Sequence, residues 1–102
     1  MDFEKVALKE EIPVGKMKGV EVAGVSVLIA NIAGEYYAIG NKCTHRGCKL
    51  SSGVLEGETV KSPCHKTVFN IKTGAVIKGP ASKPEPKYAL KVEAEQILIN
   101  VK

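Results

Sequence analysis

Long hydrophobic runs are missing from this chain. No apolar stretch approaches the ~20 residues that a membrane helix needs. The opening Met1-Asp2-Phe3-Glu4-Lys5 is charged where a secretory signal would be apolar, so a cytoplasmic protein without a membrane partner is expected. Aromatics are scarce, five in 102 residues. The lysines are scattered, so base-stacking platforms interleaved with basic stripes are absent and nucleic acid is not an expected partner. There are no internal repeats, no low-complexity tracts and no segment with convincing helical periodicity. Glutamine and arginine occur once each, so that 14 of the 15 basic residues are lysine. With abundant Val and Ile, that bias points to a thermophile. At 102 residues the chain is a single domain, residues 1–102, with no room for a separate substrate domain.

What is present is apolar alternation. Hydrophobic residues make up 44 % of the chain, enough for a compact core. Short alternating runs recur between turn signals, which reads as all-β. Strands are expected at Phe3 to Leu8, Gly19 to Ala23, Val25 to Ile32 and Tyr36 to Ile39, with turns at Pro13 to Lys16, Ala23-Gly24 and Ala33-Gly34. In the third of these strands, Val25, Val27 and Ile29 share one face. Val54-Leu55 and Thr59 to Lys61 flank a turn at Glu56-Gly57. Val68 to Ile71 and Ala75 to Lys78 form a hairpin around Lys72-Thr73-Gly74. Gly79 to Pro86 holds three prolines and does not suit a central strand. Tyr88, Leu90 and Val92, then Ile97, Ile99 and Val101, alternate around a turn at Glu93-Ala94-Glu95 and close the chain as a hairpin. So many short strands in one small domain imply an antiparallel β sandwich or barrel, with function carried by its loops.

Two loops hold all the unusual chemistry. The first reads Cys43-Thr44-His45-Arg46-Gly47-Cys48-Lys49-Leu50 and the second Ser62-Pro63-Cys64-His65-Lys66-Thr67-Val68-Phe69. All three cysteines and both histidines of the chain lie within them. An odd cysteine count argues against a pure disulfide framework. A Cys-x-His on one loop and a His on another can surround a metal from two sides, thiolate suiting soft iron and neutral imidazole suiting iron or zinc.

These loops resemble the Rieske [2Fe–2S] domain family, whose pattern is C-x-H-x(15–17)-C-x-x-H. Cys43 and His45 match its first half and His65 its last ligand, with 16 residues between His45 and Ser62. Leu50, the Gly53 turn, the Phe69-Asn70-x-x-Thr73-Gly74 run, Gly79-Pro80-Ala81 as the proline loop, and the closing hairpin with Tyr88 extend the likeness over roughly Val6 to Lys102. The resemblance implies a Rieske-like all-β fold with a cluster-binding subdomain built from the two loops. In that family two Cys hold one iron and two His the other. Departures are local: Ser62 stands at the third ligand position, usually Cys, and Lys66-Thr67 replaces the usual Gly-Ser. The resemblance also pairs Cys48 with Cys64 as a disulfide. It places backbone N–H groups around Gly47 and Lys66, and the proline loop with Pro80, next to the cluster.

The ligand set therefore reads Cys43, His45, His65 and a fourth ligand that is either Ser62 or Cys64. Serine is a harder ligand than thiolate and should give a less stable cluster of lower potential. Reaching with Cys64 requires remodelling of a loop stiffened by Pro63. A single iron or zinc held by the same residues, or a site with no metal, are the remaining arrangements. The expected function is that of a Rieske-type ferredoxin: a monomeric one-electron carrier, not itself an enzyme, which delivers to a larger oxidoreductase. Exposed His tips would be the electron exit. The net charge of +4 reads as a solvated lysine surface or as docking to an acidic redox partner, with Arg46 and Lys49 beside the site. The alternative is a ligand variant of the Rieske fold, with a mononuclear metal or none, acting as a scaffold or interaction subunit. A thiol hydrolase built on Cys64-His65 ranks third, because neighbours on an extended loop point apart and no third group orients them.

Overall fold

The computed structural model describes residues 3–41, 49–63, 67–78 and 84–100. Ten strands run β1 (Glu4–Leu8), β2 (Met17–Val22), β3 (Val25–Ile32), β4 (Glu35–Gly40), β5 (Val54–Glu56), β6 (Thr59–Lys61), β7 (Val68–Asn70), β8 (Val76–Lys78), β9 (Ala89–Glu93) and β10 (Gln96–Asn100). They form three antiparallel sheets of order β1-β10-β9, β2-β3-β4 and β5-β6-β7-β8. Helical structure among the described residues is limited to two 3₁₀ turns, Lys9–Glu11 and Leu50–Ser52. The second lies within Gly40 to Gly53, a polar, glycine-containing stretch that reads as a loop from sequence. The β5–β6 turn also falls one residue later than expected, at Gly57-Glu58, because Glu56 still pairs with Thr59.

Three hairpins turn on two residues of positive φ. Ala23 and Gly24 lie at 50° and 82°, Ala33 and Gly34 at 54° and 91°, and Ala94 and Glu95 at 48° and 71°. That geometry matches the right-handed twist of the flanking strands. The third turn has no glycine, so two side chains sit in the left-handed region.

The core is two clusters, and β3 is the wall between them. One face of β3 sends Val27 and Ile29 toward Ile97 and Ile99 of β10, with Ile12 and Ala38. Its other face sends Leu28 and Ala30 toward Val60 and Phe69 of the four-stranded sheet, with Ile39, Leu50 and Ile71. The sequence marks only the Val25-Val27-Ile29 face, yet the run is apolar on both sides, which is the pattern of a strand covered twice. Residues 27–30 are all fully buried. The middle sheet thus joins a base, closed by the two chain-terminal strands that pair at Glu4↔Ile99, to a small sheet that bears the loops.

Candidate metal centre

The first Cys/His loop leaves the middle sheet at Asn41 and returns at Lys49. Asn41 is 2 % exposed and holds both ends. Its backbone carbonyl accepts from Leu50 N–H, and its side-chain Oδ1 accepts from Ser51 N–H at 2.8 Å. Its own N–H donates to the Ser26 carbonyl at 3.1 Å, which ties the base of the loop to β3. Leu50, fully buried, then plugs into the same apolar cluster as Val60 and Phe69.

The second loop extends the β6–β7 hairpin. Lys61 pairs with Val68, and one step farther Ser62 N–H donates to the Thr67 carbonyl at 2.7 Å. This closes a loop of four residues, 63–66. Side chains alternate along each strand, so Ser62 lies on the face of Val60, and Thr67 on that of Phe69. Both are buried, Ser62 at 2 % and Thr67 at 0 % exposure, while Pro63 is exposed. The face they share is the one that meets Leu50, where the first loop ends.

Gly53 holds the two loops in register. A Cβ there would collide with the Lys61 carbonyl oxygen, so the chain leaving loop one runs directly against the strand entering loop two. The sequence reads Gly53 as a turn; the structure shows a close approach that excludes any side chain. C-terminal to Pro80, residues Glu85 and Pro86 are tied to two neighbouring segments. Glu85 N–H donates to the Gly74 carbonyl at 2.7 Å, and Gly40 N–H donates to the Pro86 carbonyl at 2.9 Å. Glu85 itself is 4 % exposed and packs its carboxylate over Gly40. Burial, and then the charge of Glu85, push the Tyr88 hydroxyl above its ordinary pKa.

Of the candidate ligands, the cysteine pair and the residues expected next to the cluster, Ser62 is the one whose placement is described; of the two charges expected beside the site, Lys49 is described and exposed, and Arg46 lies outside the described residues. Cys43, His45, Gly47, Cys48, Cys64, His65, Lys66 and Pro80 lie outside the described residues. Asn41 and Thr67 are the residues that sequence reasoning undervalues. The signal for Asn41 is a polar residue at the mouth of a Cys/His loop, where an amide can cap backbone N–H groups. Thr67 Oγ1 is fully buried and has no hydrogen-bond partner among the described residues. A buried hydroxyl without a partner is costly, and it implies an acceptor beside it. Sulfur and anionic oxygen ligands of an iron–sulfur centre are such acceptors. Together with a Cys, His and Ser donor set on the two loops, it fits a [2Fe–2S] group.

Comparison with known proteins agrees with that chemistry. The Rieske [2Fe-2S] domain family matches residues 2–93. The ferredoxin component of the naphthalene 1,2-dioxygenase system of Pseudomonas aeruginosa is 34 % identical over 99 residues, covering 97 % of this chain and 94 % of that protein. The ferredoxin subunit of 3-phenylpropionate/cinnamic acid dioxygenase of Shigella boydii is 35 % identical over 92 residues, covering 89 % and 86 %. Among solved structures, the ferredoxin of carbazole 1,9a-dioxygenase from Nocardioides aromaticivorans superposes with a TM-score of 0.94 at 28 % identity, over 100 % of both chains. The ends of two Cys/His loops brought together on an all-β scaffold, a buried Thr67 hydroxyl without a partner among the described residues and full-length likeness to ferredoxin components lead to one conclusion: this chain belongs to the Rieske [2Fe-2S] domain family, as a ferredoxin that carries electrons to a larger oxidoreductase and is not itself a catalyst.

Proposed function

We propose that Cys43, His45, His65 and Ser62 hold a [2Fe–2S] cluster and that the protein passes single electrons to the terminal oxygenase of a dioxygenase-type system. The observation that carries the ligand assignment is the burial of Ser62, 2 % exposed on the inner face of β6, one step beyond a paired strand. Occupying that position with a hydroxyl demands little rearrangement of the hairpin. Using Cys64 instead requires the loop to turn inward two residues later, past Pro63. Cys48 and Cys64 are then left to form a disulfide.

When bound, the cluster accepts and releases one electron at a time. The chain's residues set the conditions. Neutral His45 and His65 leave less negative charge on the irons than thiolates do, which raises the potential, and Ser62 opposes that by being a harder donor. Thr67 Oγ1–H, buried on the same face as Ser62, would donate toward the ligand atoms, and Asn41 and Gly53 would hold the ends of the two loops together. The electron acceptor is proposed by likeness to ferredoxin components of dioxygenase systems. The protein is proposed to act as a monomer in the cytoplasm.

The test is iron, zinc and acid-labile sulfide per chain, with a visible spectrum, for the wild type, Ser62→Ala, Ser62→Cys and Cys64→Ala. Equal iron and sulfide in the wild type, their loss in Ser62→Ala, their rise in Ser62→Cys and their retention in Cys64→Ala are expected. Loss in Cys64→Ala with retention in Ser62→Ala would transfer the ligand role to Cys64. One metal ion without sulfide would replace the cluster by a mononuclear iron or zinc centre and remove the electron-carrier role.

A further inference from the structure

Charge is divided unevenly along the chain. Residues 36–84, which hold both Cys/His loops and β5–β8, contain eight basic and two acidic residues, whereas the rest contains seven basic and nine acidic. The positive excess of the whole protein therefore belongs to the loop-bearing half.

The four-stranded sheet gives that charge a shape. Val54 pairs with Lys61, Lys61 with Val68 and Val68 with Lys78. These four residues form one row across the sheet, about 14 Å long at the ordinary strand spacing. Alternation puts Val54, Lys61 and Val68 on the face opposite Leu55, Val60 and Phe69, which point to the core, and Lys78 joins them through its pairing with Val68 across a bulge. The row is open to solvent: Val54 is 55 % exposed and Lys78 exposed, with Lys61 and Val68 half-buried. The irregularity between Val68 and Phe69 on the β7–β8 ladder leaves Ile77 as an extra residue, 54 % exposed. Val54 and Ile77 are thus two of the four large exposed hydrophobics among the described residues. Ion pairs among the described residues engage Lys18, Lys72 and Lys91, leaving Lys61 and Lys78 outside them. The row also borders the second loop, since the next pair is Ser62 with Thr67.

Apolar side chains flanked by cations of one sign are what a transient protein interface uses: the charges orient the encounter and the apolar centre excludes water. We propose that the outer face of β5–β8, centred on Val54, Lys61, Val68 and Lys78, is the docking surface for the redox partner, and that the partner presents an apolar patch rimmed by carboxylates. The proposal rests on the electron-carrier reading. A nucleic acid would use the lysines alone, because the row offers valines and no aromatic ring on which a base could stack.

The test measures binding to cytochrome b5, chosen as an acidic electron-transfer protein, by titration calorimetry at low salt. The variants are Lys61→Ser/Lys78→Ser, Val54→Ser/Ile77→Ser and, as a control elsewhere on the surface, Lys16→Ser/Lys87→Ser. The lysine pair is expected to weaken binding about ten-fold at low salt and little at high salt, the apolar pair several-fold at both, and the control pair less than two-fold. Equal weakening by both lysine pairs, no effect of the apolar pair, or no binding by the wild type overturns the proposal. So does tighter binding of a short DNA duplex through the same lysines. Binding does not require a reducible cluster, so a colourless protein with the expected lysine and valine dependence would unseat the electron-carrier reading alone. A red-brown protein with none of that dependence would unseat the docking surface alone.

Discussion

The base of the molecule and its loop-bearing sheet are built on different principles. The base, together with the middle sheet, uses strands of five to eight residues, β1–β4 with β9 and β10, paired in long registers around buried Val27, Ile29, Ile97 and Ile99. The loop-bearing sheet uses four strands of three residues each. Such strands make few ladder bonds, and their position comes from Phe69 and Leu50 in the core, from the Asn41 clamp and from the Gly53–Lys61 approach. The longer strands enclose one apolar cluster, and the small sheet brings the ends of the two loops together. The charge follows the same division, with the positive excess on the loop-bearing half.

The sharpest way to break that comparison is to cut one large side chain from each core. Ile29→Ala should cost about 2–5 kcal/mol and Phe69→Ala about 3–5 kcal/mol. Chemical denaturation of the metal-free protein should show Ile29→Ala lowering the midpoint of the whole transition. Phe69→Ala should lower the iron and sulfide content even where the far-ultraviolet spectrum is retained. Equal loss of cluster in both variants would mean that the two halves fold as one unit.

Gly53→Ala probes the contact between the loops. Its Cβ has no room beside the Lys61 carbonyl, so about 1–3 kcal/mol of overpacking is expected together with reduced cluster occupancy. Gly57→Ala is the matched control: its φ of 58° makes alanine unfavourable, but nothing lies within 4 Å of the added carbon. It should cost about 1 kcal/mol or less and leave cluster content unchanged. A similar loss of cluster in both would show that β5–β6 rigidity, not the approach to Lys61, holds the loops.

The smallest effect is expected in the base. Replacing Ala94-Glu95 by Asn-Gly supplies residues that favour positive φ at both turn positions. Stability should rise by about 1 kcal/mol, read as a higher thermal midpoint, with no change in the visible spectrum. A spectral change would show that the base and the loops are mechanically coupled.

Much of the architecture was legible in advance. Alternation located all ten strands, and Val25–Ile32 and Thr59–Lys61 to the residue, because strand periodicity and turn residues are local signals. The Cys/His pattern named both loops and singled out Ser62. What remained hidden was long-range. That β3 is buried on both faces depends on which sheets cover it. That Asn41 clamps a loop, and that Gly53 lies against Lys61, depends on segments eight or more residues apart being brought together.

The sequence by itself determined that this is a small all-β chain with two Cys/His loops of Rieske spacing, since ligand identity and apolar period are written residue by residue. Only the tertiary structure decided that Ser62 and Thr67 turn inward together, that the Thr67 hydroxyl is buried without a partner among the described residues, and that Val54, Lys61, Val68 and Lys78 form a single exposed row. The physical reason is register. A strand carries its own alternation in its sequence, but which face is buried and which residues stand side by side are set by the neighbour it pairs with and the core it covers.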